Sequence, residues 1–169
     1  MDINIRNEEA KDIEQVRAIV RAAFPTEAES KLVDAIRAHG KAVISLVAVG
    51  DDDEEVLGHI LFSPVSTTPP GDARGIGLAP IAVRPDVQSQ GFGSRLIRKG
   101  LELCKALGYD YCVVLGGPAY YQRFGFEKAS PFGIRNEYAV DEEFMIIRFS
   151  EHDVAGLVQY AVEFGLFSV

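Results

Sequence analysis

Ile81-Ala82-Val83-Arg84-Pro85-Asp86-Val87-Gln88-Ser89-Gln90-Gly91-Phe92-Gly93-Ser94 is the stretch on which the reading of the chain turns. An apolar β-branched segment stops at Arg84-Pro85, because proline brings no amide to a sheet ladder. Two glycines then open a helix, whose first-turn amides have no intrahelical acceptors. With no side chain at Gly91 or Gly93, an anion can approach those amides closely, and the helix dipole favours its negative charge. The stretch reads as strand, anion loop and helix, or at its plainest as a tight turn before a helix.

Two familiar glycine loops fit poorly. A nucleoside-triphosphatase loop needs Gly-Lys followed by Ser or Thr, whereas Gly93 precedes Ser94-Arg95; a dinucleotide fingerprint needs a small residue where Leu96 stands. What the chain carries is Gln88-x-x-Gly91-x-Gly93 and, one helix and one strand later, Tyr121-Gln122-Arg123-Phe124-Gly125-Phe126. On these two elements the sequence resembles the GNAT superfamily of N-acetyltransferases. That family's pyrophosphate loop has the form Gln/Arg-x-x-Gly-x-Gly/Ala, and its later segment reads Tyr-x-x-x-Gly-Phe.

The element order of nearly the whole chain agrees with the resemblance. It implies an α/β (α+β) fold in one domain, residues 1–169. The sheet would be mixed and mostly antiparallel, with six to seven strands, a central splayed parallel pair and about four flanking helices. It also implies acetyl-coenzyme A (acetyl-CoA) as cosubstrate, held by Ile81, Ala82, Val83, Gln88, Ser89, Gln90, Gly91, Phe92, Gly93 and Ser94.

Outward from the loop, residues 2–7 alternate as a strand, and Asp12 is placed to cap a helix carrying Ile13, Val16, Ile19, Val20 and Ala23 until Pro25. A second helix is expected over 27–38. A buried strand over 43–49 and its partner over 56–62 flank the acidic turn 51–55, and Ser63-Pro64 ends the partner, with a loop over 67–74. The next strand, 76–83, contains Pro80, which demotes a ladder or marks a bulge. If that strand splays from its parallel neighbour at 111–115, amides near Ala82 and Val83 are free for an inserted ligand; in the family this is the pantetheine arm. A helix over 91–107, a short helix through 121–124 and a strand over 143–149 follow, and 154–169 reads as strand or mixed structure.

A chain of 169 residues, 47% apolar, can bury roughly 70% of its unfolded surface. No apolar run reaches the 18 or so residues of a membrane span, and the first residues lack signal-peptide character, so the expectation is a cytoplasmic protein without a membrane partner. The net charge of −8 disfavours nucleic acid and mildly favours a cationic acceptor. Cys104 and Cys112 read as reduced core residues. His39 and His152 show no metal-ligand spacing, so no metal is proposed.

The reaction that the resemblance implies is direct attack of a primary amine, of a small molecule or a protein, on the thioester. At pH 7 an alkylamine is neutral in about one molecule in 2,500, roughly 4.6 kcal/mol, so the site must desolvate it or supply a base. Tyr121 matches the family tyrosine and is the expected general acid toward the departing thiolate; Tyr120 is the fallback, and the plain alternative is a packing aromatic. Glu29, with Glu27, is a candidate base or acceptor contact, or simply a carboxylate on a helix dipole. His59 has a pKa suited to base work, but a lone strand histidine is usually structural. Arg95, Arg98 and Lys99 are either solvated or reach the cofactor's 3′-phosphate. A non-catalytic acyl-CoA sensor is the alternative function, and a homodimer through the apolar C-terminus is a further expectation.

Overall fold

The computed structural model describes residues 2–167. In chain order the elements are β1 (Asn4–Asn7), α1 (Ile13–Ala23), α2 (Ala28–Ala38), β2 (Ile44–Val49), β3 (Val56–Thr68), β4 (Gly75–Val83), α3 (Phe92–Ala106), β5 (Tyr111–Leu115), α4 (Pro118–Tyr121), β6 (Glu127–Lys128), β7 (Ile134–Asn136), β8 (Phe144–Arg148), β9 (Gly156–Gln159) and α5 (Glu163–Leu166). Hydrogen-bonded neighbours follow the order β1-β2-β3-β4-β5-β8-β6, with β9 pairing both β3 and β7. This is the mixed, mostly antiparallel α+β arrangement expected, with β4 and β5 parallel. Strands β6, β7 and β9, of two to four residues, raise the count to nine among the described residues.

The backbone divides into two compact units, one holding residues up to 62, 79–100 and from 162 onward, the other 63–78 and 101–161. In the first, Val16, Ile19 and Val20 of α1 are buried at helical spacing and pack with Val47, Val49, Val56 and Ala82. Helix α1 stops at Ala23 because Phe24 must be extended before Pro25. Asp12 does not cap α1 through its side chain. It is buried, gripped by both terminal nitrogens of Arg6 at 2.7 and 3.0 Å, and accepts the Glu9 amide at 2.7 Å. Arg6 can claim it because β1 lies beside the turn that precedes the helix, a contact that propensity does not carry.

Gly100 of α3 lies so close to Phe62 that a methyl group there would stand 2.3 Å from the ring. Leu96 and Ile97 are fully buried. Leu107, expected as the last residue of this helix, lies past its end and is 50% exposed.

In the second unit, β5 pairs antiparallel with β8 from Tyr111 with Arg148 to Leu115 with Phe144, and parallel with the start of β4. Strand β3 does not end at Ser63-Pro64 as expected, nor does a loop begin at Thr67, because Ser66–Thr68 pair with β9. Pro64 falls between the last β2 pair, at Phe62, and the first β9 pair, at Ser66, where neither ladder asks for its missing amide. The segment after residue 154 is mixed, β9 and then α5; its last two residues lie outside the described ones. Both cysteines are buried and free.

Candidate functional site

The site begins with the edge of β4. A short loop joins β3 to β4, so the pair is antiparallel, and the Arg84 amide donates to the Leu57 carbonyl at 2.8 Å. Backbone groups alternate sides, so Ala82 faces β3 with Arg84, while the N–H and C=O groups of Ile81 and Val83 point away from it. The alternation recurs in burial: Ala82 is buried in the α1 cluster, and Ile81 and Val83 are half-buried. The β4–β5 ladder holds Gly75, Ile76 and Gly77 against Tyr111, Cys112 and Val113, so Ile81 and Val83 lie beyond it. The bulge expected at Pro80 takes the form of a cis Ala79-Pro80 peptide within a continuous strand.

The loop follows directly. Arg84 pairs with Asp86 at 2.6 Å and also with Glu55, fixing the turn Pro85–Val87, whose Val87 amide bonds Arg84 at 3.0 Å. Gln88 is not free: its side-chain amide donates to the outward Val83 carbonyl at 3.2 Å. Ser89 and Gly91 both adopt left-handed backbone, φ +64° and +85°, on either side of Gln90. The first helical bond of α3 runs from the Arg95 amide to the Gly91 carbonyl at 3.1 Å, so the amides of Phe92, Gly93 and Ser94 have no acceptor within the helix. A side chain at Gly91 would meet nothing within 4 Å. The loop is open to an incoming group, and what it offers is backbone donors at a helix N-terminus, which suits a diphosphate. The Phe92 ring is buried, so only its amide faces the loop's task. Arg95 donates to the Ile3 carbonyl at 3.2 Å, committing it to the first strand's approach.

Tyr121 is built in the second unit. Gly116-Gly117 leaves β5, Pro118 starts α4, and the Tyr121 amide bonds the Gly117 carbonyl at 3.1 Å. Its ring covers Gly116 and meets Tyr120 and Phe126 edge-on, with centroids 5.1 and 5.7 Å apart. Burial pushes the phenol up to about 12, with the neighbouring Tyr120 adding to the effect. Tyr120, the fallback, is 36% exposed and lies under the Arg123 guanidinium.

Of the carboxylates, Glu27 sits at the N-cap of α2 and faces Lys31 at 3.8 Å on an exposed surface. Glu29 is in the first turn of α2, and its Oε1 is buried with no hydrogen-bond partner among the described residues. His59 is fully buried; burial and the nearby Arg37 charge hold it down at about 3, so it is neutral, with Nε2 2.8 Å from the Ser45 hydroxyl. Among the described residues no group of three or more His, Cys, Asp or Glu could hold a metal ion, and no helix is long and apolar enough to cross a membrane.

The left-handed Ser89 and the orphaned Glu29 oxygen are beyond sequence reading. Only the pairing of Gln88 with a strand end five residues earlier carried a local hint.

Residues 13–126 match the acetyltransferase (GNAT) family. The chain is 36% identical over 167 residues to the uncharacterized N-acetyltransferase YhbS of Escherichia coli, covering 96% of this chain and 99% of that protein. It is 34% identical over 134 residues to the uncharacterized N-acetyltransferase YjhQ of the same organism, covering 78% and 74%. Among solved structures it resembles E. coli YhbS in complex with CoA, with a TM-score of 0.90 at 35% identity and coverage of 96% and 92%. It also resembles a GNAT family acetyltransferase from Brucella melitensis in complex with acetyl-CoA, with a TM-score of 0.81 at 34% identity and coverage of 96% and 98%.

Proposed function

We propose, from the premise that this chain belongs to the acetyltransferase (GNAT) family, that it moves the acetyl group of acetyl-CoA to a primary amine of a small molecule or protein by direct attack. The observation that carries the reading is the loop at 88–94. Two left-handed residues and three first-turn amides present donors to a diphosphate with no side chain in the way at Gly91. The outward groups of Ile81 and the outward amide of Val83, whose carbonyl is held by Gln88, are suited to pair with the amide-bearing pantetheine arm, and one of the two amides to steady the developing oxyanion.

Acetyl-CoA supplies the activated thioester; this chain's residues bind it, orient it and manage protons. Tyr121 is the proposed general acid. Full transfer from a phenol at about 12 to a thiolate near 8.5 is uphill by about 5 kcal/mol, so its hydroxyl acts chiefly as a hydrogen-bond donor to the leaving sulfur. Glu29 serves the acceptor amine. A homodimer through the C-terminal segment, where Val162 and Leu166 are 75% and 66% exposed, belongs to the same reading and is tested by sedimentation.

Calorimetry with acetyl-CoA, desulfo-CoA and ATP, followed by thiol release with a panel of amines, tests the proposal. Binding of both coenzymes and amine-dependent thiol release are expected. Tight ATP binding with no response to the coenzymes would end it. A Tyr121→Phe variant with unchanged turnover would remove the tyrosine's role and favour a binding module.

A further inference from the structure

Arg84 stands in the chain between the strand edge and the diphosphate loop, and its guanidinium is held by two carboxylates. Nε and Nη2 grip the two oxygens of Asp86 at 2.6 and 3.0 Å, and Nη1 pairs with Glu55. Such a fork needs a planar guanidinium, since a lysine ammonium is a point charge and cannot span both oxygens. Two carboxylates around one cation leave a local sum of one negative charge, which makes this group a poor direct ligand for a phosphate.

The anchor on the Glu55 side is firm, because its hairpin turn is itself tied down. Arg6 Nε donates to Asp53 at 2.7 Å, and Gln15 donates to the Glu54 carbonyl at 2.8 Å and accepts the Val56 amide at 2.9 Å. The Arg84 backbone is pinned as well: its amide donates to Leu57 at 2.8 Å and its carbonyl accepts the Val87 amide at 3.0 Å. At the far end of the turn, Gln88 donates to the Val83 carbonyl at 3.2 Å. Residues 84–88 are therefore clasped at both ends. Ser89 follows directly with φ +64°, a backbone that a residue with a side chain keeps only where its surroundings over-determine it. Loosening the turn frees that strain and changes where the amides of residues 92–94 point.

We infer that Arg84 is a positioning residue for the diphosphate of the carrier: through Asp86 it holds the turn that aims the loop amides, and it touches no phosphate itself. Exposed ion pairs add little to global stability, so the role is one of geometry. The inference rests on the acetyl-CoA reading of the loop and deepens it.

Calorimetry with CoA and with 3′-dephospho-CoA, which keeps the diphosphate and lacks the 3′-phosphate, tests this on the wild-type protein, Arg84→Ala, Arg84→Lys, Asp86→Asn and the double variant of Arg84→Ala with Asp86→Asn. Each single variant should bind both ligands at least threefold more weakly, with a urea midpoint close to that of the wild type. The double variant should lie within twofold of Arg84→Ala, because the two side chains act as one unit. A loss under threefold for either ligand in any single variant, or a double variant weaker than Arg84→Ala by more than twofold, overturns the inference. Tighter binding in Asp86→Asn overturns it too, since a released Arg84 would then be serving a phosphate directly. Wild-type protein that binds neither coenzyme sinks the acetyl-CoA reading itself.

Discussion

The ring of Tyr121 lies against the backbone of Gly116 so closely that a methyl group at position 116 would stand 2.3 Å from its Cε2 carbon. The glycine that lets β5 turn into α4 is therefore also the floor on which the phenol rests. A Gly116→Ala variant must push the ring aside. If the phenol serves the leaving sulfur, kcat should fall by about a hundredfold, the scale of a lost proton-transfer group, with acetyl-CoA affinity little changed. Full turnover in this variant, measured by thiol release, would mean that the ring position is immaterial.

Gly91 tests the loop. Its φ of +85° is left-handed and its missing side chain faces open space, so Gly91→Ala introduces backbone strain alone, roughly 1–2 kcal/mol. Acetyl-CoA affinity should weaken about tenfold if the strain is relieved by shifting the donors. Gly40→Ala is the control, since Gly40 has φ +70° and equally open space at the end of α2. Equal losses of affinity by calorimetry in the two variants would detach the loop geometry from binding.

Gly100 tests packing instead of backbone shape. A methyl group there meets Phe62 at 2.3 and 2.5 Å. Overpacking of this kind costs about 1–3 kcal/mol, so Gly100→Ala should lower the urea midpoint with an unchanged slope. Adding Phe62→Leu should restore part of the loss, and a double variant no more stable than Gly100→Ala would contradict the contact.

Acid stability should follow His59. Burial holds its imidazole down at about 3, while in the unfolded chain it titrates near 6.5. Between those values the unfolded state binds the extra proton, so stability is full above about 6.5 and falls by up to about 1.4 kcal/mol per pH unit below it. Glu163 adds a lower window. Held at about 2 by Lys41 and then by His39, it loses its contribution as pH falls from 4.5 toward 2. His59→Gln should flatten the unfolding free energy between pH 6.5 and 4.5, and an unaltered slope would place the titration elsewhere.

The sequence by itself determined the loop, the order of the elements from β1 to α4, and the family. Proline after a β-branched run, glycines at a helix start and helical spacing of Val16, Ile19 and Val20 are local signals, and local sterics and hydrogen bonding dictate what they build. Only the tertiary structure decided which side of β4 each amide faces, that Asp12 belongs to Arg6, and that β3 runs through Pro64 to reach β9. It alone decided that His59 is neutral and that Glu29 Oε1 is unpartnered. These depend on what residues distant in sequence bring alongside, since burial and pairing set the protonation and cost of a polar group, and no spacing along one chain encodes them.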